Sequence, residues 1–330
     1  MNMKLIYILI LLATDFICIA QSERTQQLYT AKQRYEEPLK ENFGIIVERL
    51  NATQREYLRN TDLQITLVDD ILMAKTYSNP ENKIEISAAT ILFLEELATT
   101  HAWYDFKGIT DTTPIVNYVL LSRRYRGTGK SLKSMIGLLG LPEKEVWENP
   151  DNYKLKNMAR NFLNSSVTWI IAHEIGHKAS GHVDNPTIIR QMSSQEMEMQ
   201  ADKIATEMLI SLGLFPEAVG IAMVYYSIYS KVRIEFPDNN AWNEYLSNST
   251  HPIWPERLEN LAKVFRSNAS NISRSVEAST LQLDIAAGML QNFDILSALI
   301  AGEAKVTENN LKTYDPMANI DPKYLPYSSK

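Results

Sequence analysis

Trp169-Ile170-Ile171-Ala172-His173-Glu174-Ile175-Gly176-His177 decides how this chain is read. It is an H-E-x-x-H motif set in an apolar run. Positions i and i+4 of a helix differ by about 40° of rotation, so His173 and His177 share one face, a turn apart. Two imidazoles so placed can hold one Zn²⁺ between them. Glu174 projects beside them, where a carboxylate can take a proton from water on the ion. Apolar Val167, Trp169, Ile170 and Ile171 predict a buried helix from about Asn157 to Ser180 that keeps these ligands rigid. Two histidines on a helix can also be plain core or surface residues, so the rest of the chain has to supply a third ligand.

The chain has five histidines, and His173, His177 and His182 fall within ten residues of one another. A metzincin would carry a glycine three residues after the second motif histidine and a histidine six after it. Ser180 and Val183 stand there, which excludes that class. His182 reads as a residue that supports the ligands or ends the helix. Cys18 is the only cysteine, so the third ligand should be a carboxylate from another helix. Ser193-Ser194 offers N-caps for a helix over 195–212, in which Glu198 and Asp202 are again i and i+4 and face the same way. Glu198 can ligate the ion, with Glu196 as its rival, and Asp202 can hydrogen-bond a ligand histidine. Small Ala201 permits the two helices to approach closely.

With these residues in place, the chain resembles the HtpX/CaaX-prenyl-endopeptidase clan of gluzincin zinc metallopeptidases, and within it the soluble exported, BepA-like members. The resemblance is carried by His173-Glu174-Ile175-Gly176-His177, by Glu198-Met199-Gln200-Ala201-Asp202, and by Leu212-Gly213-Leu214-Phe215-Pro216. Thr250-His251-Pro252 followed by Arg257 resembles the clan's T-H-P-x-x-x-x-R element. It implies that His173, His177 and Glu198 bind one zinc and that Glu174 is the general base. It covers roughly residues 80–100 and 160–265. The segment 101–158 is longer than the clan pattern, and no run long enough to span a bilayer follows, so the membrane-embedded members are poor guides to substrate handling.

Peptide-bond hydrolysis also needs a donor for the oxyanion. His251 and Arg257 are the first candidates, with Tyr225, Tyr226 and Tyr245 behind them. His251 has a second role open to it, occupying the free zinc position and keeping the enzyme latent.

The surrounding chain is an ordinary globular sequence of 330 residues with a net charge of −6, which offers no electrostatic footprint for nucleic acid. Residues 1–20 read as a signal peptide: Lys4, an apolar stretch from Leu5 to Leu12, and a cleavage point at Ala20. This predicts export to the periplasm or medium, with an uncleaved anchor or a lipoprotein at Cys18 as lesser alternatives. Residues 21–75 form an N-terminal helical segment with Pro38 near a helix boundary, and the near alternation of Leu63, Ile65, Leu67 and Val68 after Asp62 can form a strand. Residues 76–265 form the metallopeptidase domain, with 101–158 as a helical insertion, and 266–330 a C-terminal helix over 276–301 and an extended tail. Lys83-Ile84-Glu85-Ile86-Ser87 alternates as a strand that either offers a free edge to an extended peptide or forms a structural hairpin, and Ser87 can cap a following helix. Arg123 to Lys130 is basic but lacks phosphate-loop spacing.

The fold expected is α+β, mostly α: a zincin-type helical metallopeptidase with a small sheet or hairpin beside the metal helix. The expected partners are protein or peptide substrates, with peripheral membrane association left open. The alternative function is a zinc-containing binding or chaperone-like protein that does not cleave. Glu174 argues against it, because a structural zinc site needs no base.

Overall fold

A computed structural model describes residues 3–78, 80–126, 128, 132–214, 216–231, 233–249, 251, 255–267 and 306–315. The fold is mostly helical with one small sheet. In chain order the elements are α1 (Met3–Glu48), α2 (Ala52–Tyr57), β1 (Asp62–Thr66), β2 (Ala74–Thr76), β3 (Lys83–Ser87), α3 (Ala88–Lys107), α4 (Thr113–Tyr125), α5 (Met135–Leu138) and α6 (Glu143–Trp147). Then come α7 (Tyr153–Ala179), α8 (Pro186–Gln191), α9 (Ser194–Ser211), α10 (Pro216–Tyr229), α11 (Asn239–Asn248), α12 (Pro255–Ser267) and α13 (Glu308–Lys312). The expected helix over 276–301 lies outside the described residues.

Helix α7 is the axis of the molecule. It packs on α9, α3 and α10, and on β2 at its metal-motif end. Its buried side includes Leu155, Leu163, Val167, Trp169, Ile171 and Ile175, so the apolar run around the motif is core on every turn. Gly176 sets the depth of the α7–α9 contact: a Cβ there would stand 3.0 Å from the Ala201 Cα and 3.1 Å from its carbonyl oxygen. Glycine on one helix and alanine on the other bring the two backbones together, and Glu198 and Asp202 with them.

Pro38 lies inside α1, not at a boundary; the helix accepts the missing N–H to the Arg34 carbonyl and continues. The strand read in the alternation from Asp62 is present as β1, and residues 21–75 also supply the start of β2. Of the two readings of strand Lys83–Ser87 the hairpin stands, with β2 as its partner, and the free edge does not. The sheet order is β1-β3-β2, with β1 parallel and β2 antiparallel to β3, so β3 is enclosed on both sides. Its residues 84–87 are all buried, as a central strand requires. The edge beside α7 belongs to β2.

Ser87 ends β3 and caps α3, its Oγ accepting from the Thr90 N–H at 2.9 Å. Helix α3 runs on to Lys107 and stops at Gly108, which has φ 68°. The start of the segment 101–158 therefore falls inside α3, where His101, Trp103 and Tyr104 are core residues.

Candidate metal centre

The C-terminus of α7 is built to hold histidines. Gly181 has φ 74°, the Gly181 N–H bonds the Lys178 carbonyl, and the His182 N–H reaches back to the His177 carbonyl at 3.0 Å. This is the glycine-terminated Schellman cap. It folds the residue after the glycine onto the last helical turn, so the His182 ring returns to His177, with the two Nδ1 atoms 3.0 Å apart. His182 Nε2 in turn lies 2.9 Å from Gln200 Oε1 on α9.

That chain of contacts assigns tautomers. Gln200 Oε1 only accepts, so His182 carries its proton on Nε2. Burial holds the pKa of His182 below its usual value, so the ring is neutral and its Nδ1 accepts from His177 Nδ1–H. The Nε2 of His177 is left with a bare lone pair. At His173, Nδ1 stands 2.8 Å from Asp202 Oδ1, an ion-pair contact whose angle falls short of a straight hydrogen bond. That contact lies on the outer side of the ring and leaves Nε2 as the inward atom.

The two inward atoms, His173 Nε2 and His177 Nε2, are 3.1 Å apart. Glu198 Oε2 is 3.5 Å from the first and Glu198 Oε1 is 3.2 Å from the second. His251 Nδ1 completes the group, 3.3 Å from His173 Nε2 and 3.1 Å from Glu198 Oε1. One ligand atom from each of His173, His177, Glu198 and His251 lies within 4.8 Å of all the others. Nitrogen and oxygen ligands about 2.0 Å from a tetrahedral ion stand about 3.3 Å from one another. The contacts around this cluster scatter about that value. Buried lone pairs facing each other at such distances repel unless protons or a cation lie between them, and this donor set suits zinc.

Electrostatics agree with a site that attracts positive charge. Burial opposes charge on the imidazoles. At His173 the Asp202 and Glu198 carboxylates outweigh it and hold the pKa up to about 9. At His177 burial wins and pushes the pKa down to about 4. Burial also works against the Glu198 carboxylate, but His251 and Arg257 hold it well below the usual range.

Glu196, the rival ligand, is on the surface. It closes a capping box with Ser193, its carboxylate accepting from the Ser193 N–H at 2.8 Å. Arg257 stands differently from an oxyanion donor. It is buried, with Nε and Nη2 donating to Asp202 at 2.6 and 2.8 Å and Nη1 paired with Glu198 at 2.9 Å. One guanidinium thus clamps the two α9 carboxylates, a task suited to its planar fork. His251 Nε2 is 3.3 Å from Glu174 Oε1. Of the reserve donors, Tyr226 lines the cleft beside the cluster, whereas Tyr225 packs against His101.

That cleft, about 480 Å³ including its open mouth, runs from the cluster between β2, α7 and α10. Its walls are mainly apolar, with Ile71, Leu72, Trp169, Ile170 and Met223 among them. Two polar partners carried no signal in the sequence: Gln200 behind His182, and Thr76 on β2, whose Oγ1 is 2.8 Å from Glu174 Oε2.

No curated protein and no solved structure matches the chain. The narrower likeness to the HtpX/CaaX-prenyl-endopeptidase clan rests on the quoted motifs alone. Residues 141–277, less than half of the chain but including α7, α9, His251 and Arg257, match the family model for Peptidase U49, a peptidase family whose substrates are proteins or peptides.

Proposed function

We propose that this protein is a zinc-dependent endopeptidase, with His173, His177 and Glu198 holding one Zn²⁺ and Glu174 acting as general base. The observation that carries the reading is the convergence of those three ligands beside the Glu174 carboxylate, at the spacing a tetrahedral ion imposes. When bound, Zn²⁺ supplies Lewis acidity, acidifying water and polarising the scissile carbonyl. Glu174 takes a proton from the attacking water and returns it to the leaving amine. Asp202 and Arg257 keep His173 and Glu198 in place. Among the described residues β2 pairs only with β3, so its outer edge can accept the backbone of an extended substrate next to Glu174.

His251 fills the fourth corner of the cluster. In this reading it holds the site closed and withdraws when substrate arrives, in preference to the oxyanion role. The same observation favours a second reading, because four protein ligands are what a structural zinc site has. In that reading the chain is a zinc-containing binding or chaperone-like protein that does not cleave. The exported setting belongs to the proposal as well and rests on the leader-like residues 1–20.

Glu174→Gln tests the reading. It should keep zinc at the wild-type level and abolish cleavage of an unfolded protein substrate. Equal cleavage by variant and wild type would remove the peptidase mechanism. Failure of both wild type and His251→Ala to cleave a broad substrate panel would favour the binding reading.

A further inference from the structure

The edge strand does more than border the cleft. Thr76, the last residue of β2, is buried, and its hydroxyl lies 2.8 Å from Glu174 Oε2 and 2.9 Å from the Glu174 backbone carbonyl. A hydroxyl has one proton, so it is shared between these two acceptors of one residue. The other carboxylate oxygen, Oε1, makes no hydrogen bond and faces His251 Nε2. One turn along α7, Lys178 Nζ donates to the Tyr77 carbonyl at 3.2 Å and pairs with Asp184 at 2.6 Å. Residues 174 and 178 lie on one helix face. The strand end and the metal helix are thus fastened together at two successive turns.

We infer that Thr76 is a positioning residue for the general base: its hydroxyl holds Glu174 Oε2 so that Oε1 is the oxygen presented to the metal cluster. This rests on the peptidase reading above and adds to it the residue that orients its base. The need is physical. The terminal torsion of a glutamate is broad, with no staggered well to fix it, and neither His173 nor His177 contacts the Glu174 carboxylate among the hydrogen bonds of the cluster. Without a donor from β2 the carboxylate plane is held only by the longer contact of Oε1 with His251 Nε2, at 3.3 Å. With it, one oxygen is spent on the strand and the other is left for the proton. The donor sits on the strand whose outer edge is unpaired among the described residues, so the base is tied to that edge.

The test is steady-state cleavage by zinc-loaded Thr76→Val, Thr76→Ser and Glu174→Gln, with zinc content measured for each. Valine keeps the shape and removes the donor; serine keeps the donor. Thr76→Val should lose about 10- to 100-fold in kcat with KM within about twofold and zinc unchanged, the scale expected when a catalytic group is misplaced. Thr76→Ser should regain most of the lost kcat. Wild-type kcat in Thr76→Val, alongside an inactive Glu174→Gln, would overturn the Thr76 role and leave the peptidase reading intact. Loss of zinc together with activity in Thr76→Val, or a Thr76→Ser as impaired as Thr76→Val, would also overturn it, making Thr76 a packing residue. An active Glu174→Gln would instead bring down the peptidase reading itself. If Thr76→Val proves insoluble, Thr76→Ser and Thr76→Ala decide the matter by the same comparison of kcat against zinc content.

Discussion

Gly176→Ala puts the α7–α9 contact under direct strain. The added methyl would stand 3.0 Å from the Ala201 Cα and 3.1 Å from its carbonyl oxygen, where relaxed contacts are several tenths of an ångström longer. The atoms it meets are backbone, so relief comes only by moving α9 away from α7. Glycine to alanine inside a helix gains about 1 kcal/mol of propensity, while overpacking of this kind costs about 1–3 kcal/mol. The net is a loss of about 0–2 kcal/mol in the metal-free variant. The proposed zinc binding has no such compensation, because Glu198 and Asp202 ride on the displaced helix and sit within 3.5 Å of His173 and His177. Disturbing such supports typically costs 10- to 100-fold in metal affinity. Chemical denaturation of the metal-free proteins, paired with zinc competition against a chromogenic chelator, measures both quantities. A variant about 1 kcal/mol more stable with unchanged zinc affinity would refute the claim that Gly176 sets the ligand distance.

Other outcomes follow from the same contacts. His251→Ala should raise basal cleavage if the residue closes the fourth position, and lower it if the residue stabilises the oxyanion; initial rates at saturating substrate separate the two. Zinc binding at pH 7 should release protons, because His173, with its pKa held up to about 9, is charged in the metal-free site and must be neutral to ligate; calorimetry in buffers of different ionisation enthalpy reads the number, and zero release would contradict the assignment. The same raised pKa makes the His173 contribution to metal-free stability fully present below its unfolded pKa near 6.5, and lost as pH rises through about 9. Denaturation midpoints between pH 6 and 10 should show that loss in wild type and a smaller one in Asp202→Asn, which removes one of the two carboxylates responsible and leaves Glu198.

What could be read from the sequence is what short-range geometry dictates. Two i, i+4 pairs, His173 with His177 and Glu198 with Asp202, carry most of the centre, and each pair's common face follows from helix pitch alone. Their joining across space was hinted at by small Ala201, whereas the matching part of Gly176 on α7 shows only in the contact itself. The glycine at 181 marks a helix end, but that it would turn His182 back onto His177 needed the cap geometry. Arg257 was placed near the chemistry and given the wrong direction, since a spacing along the chain does not say which way a guanidinium points. The sheet was misjudged for a similar reason. Strands of three to five residues announce themselves by alternation, whereas their order depends on long-range pairing, and here the strand that looked free is the one enclosed. Thr76 gave no signal, because a threonine at a strand end is what β propensity predicts in any case.

X-ray absorption at the zinc edge of protein loaded with one equivalent of Zn²⁺ tests the metal centre most directly. The geometry predicts a four-coordinate shell of nitrogen and oxygen at about 2.0–2.1 Å, with outer-shell scattering from at least two imidazoles. A six-coordinate oxygen shell without imidazole scattering, or failure to retain one zinc per chain, would contradict it.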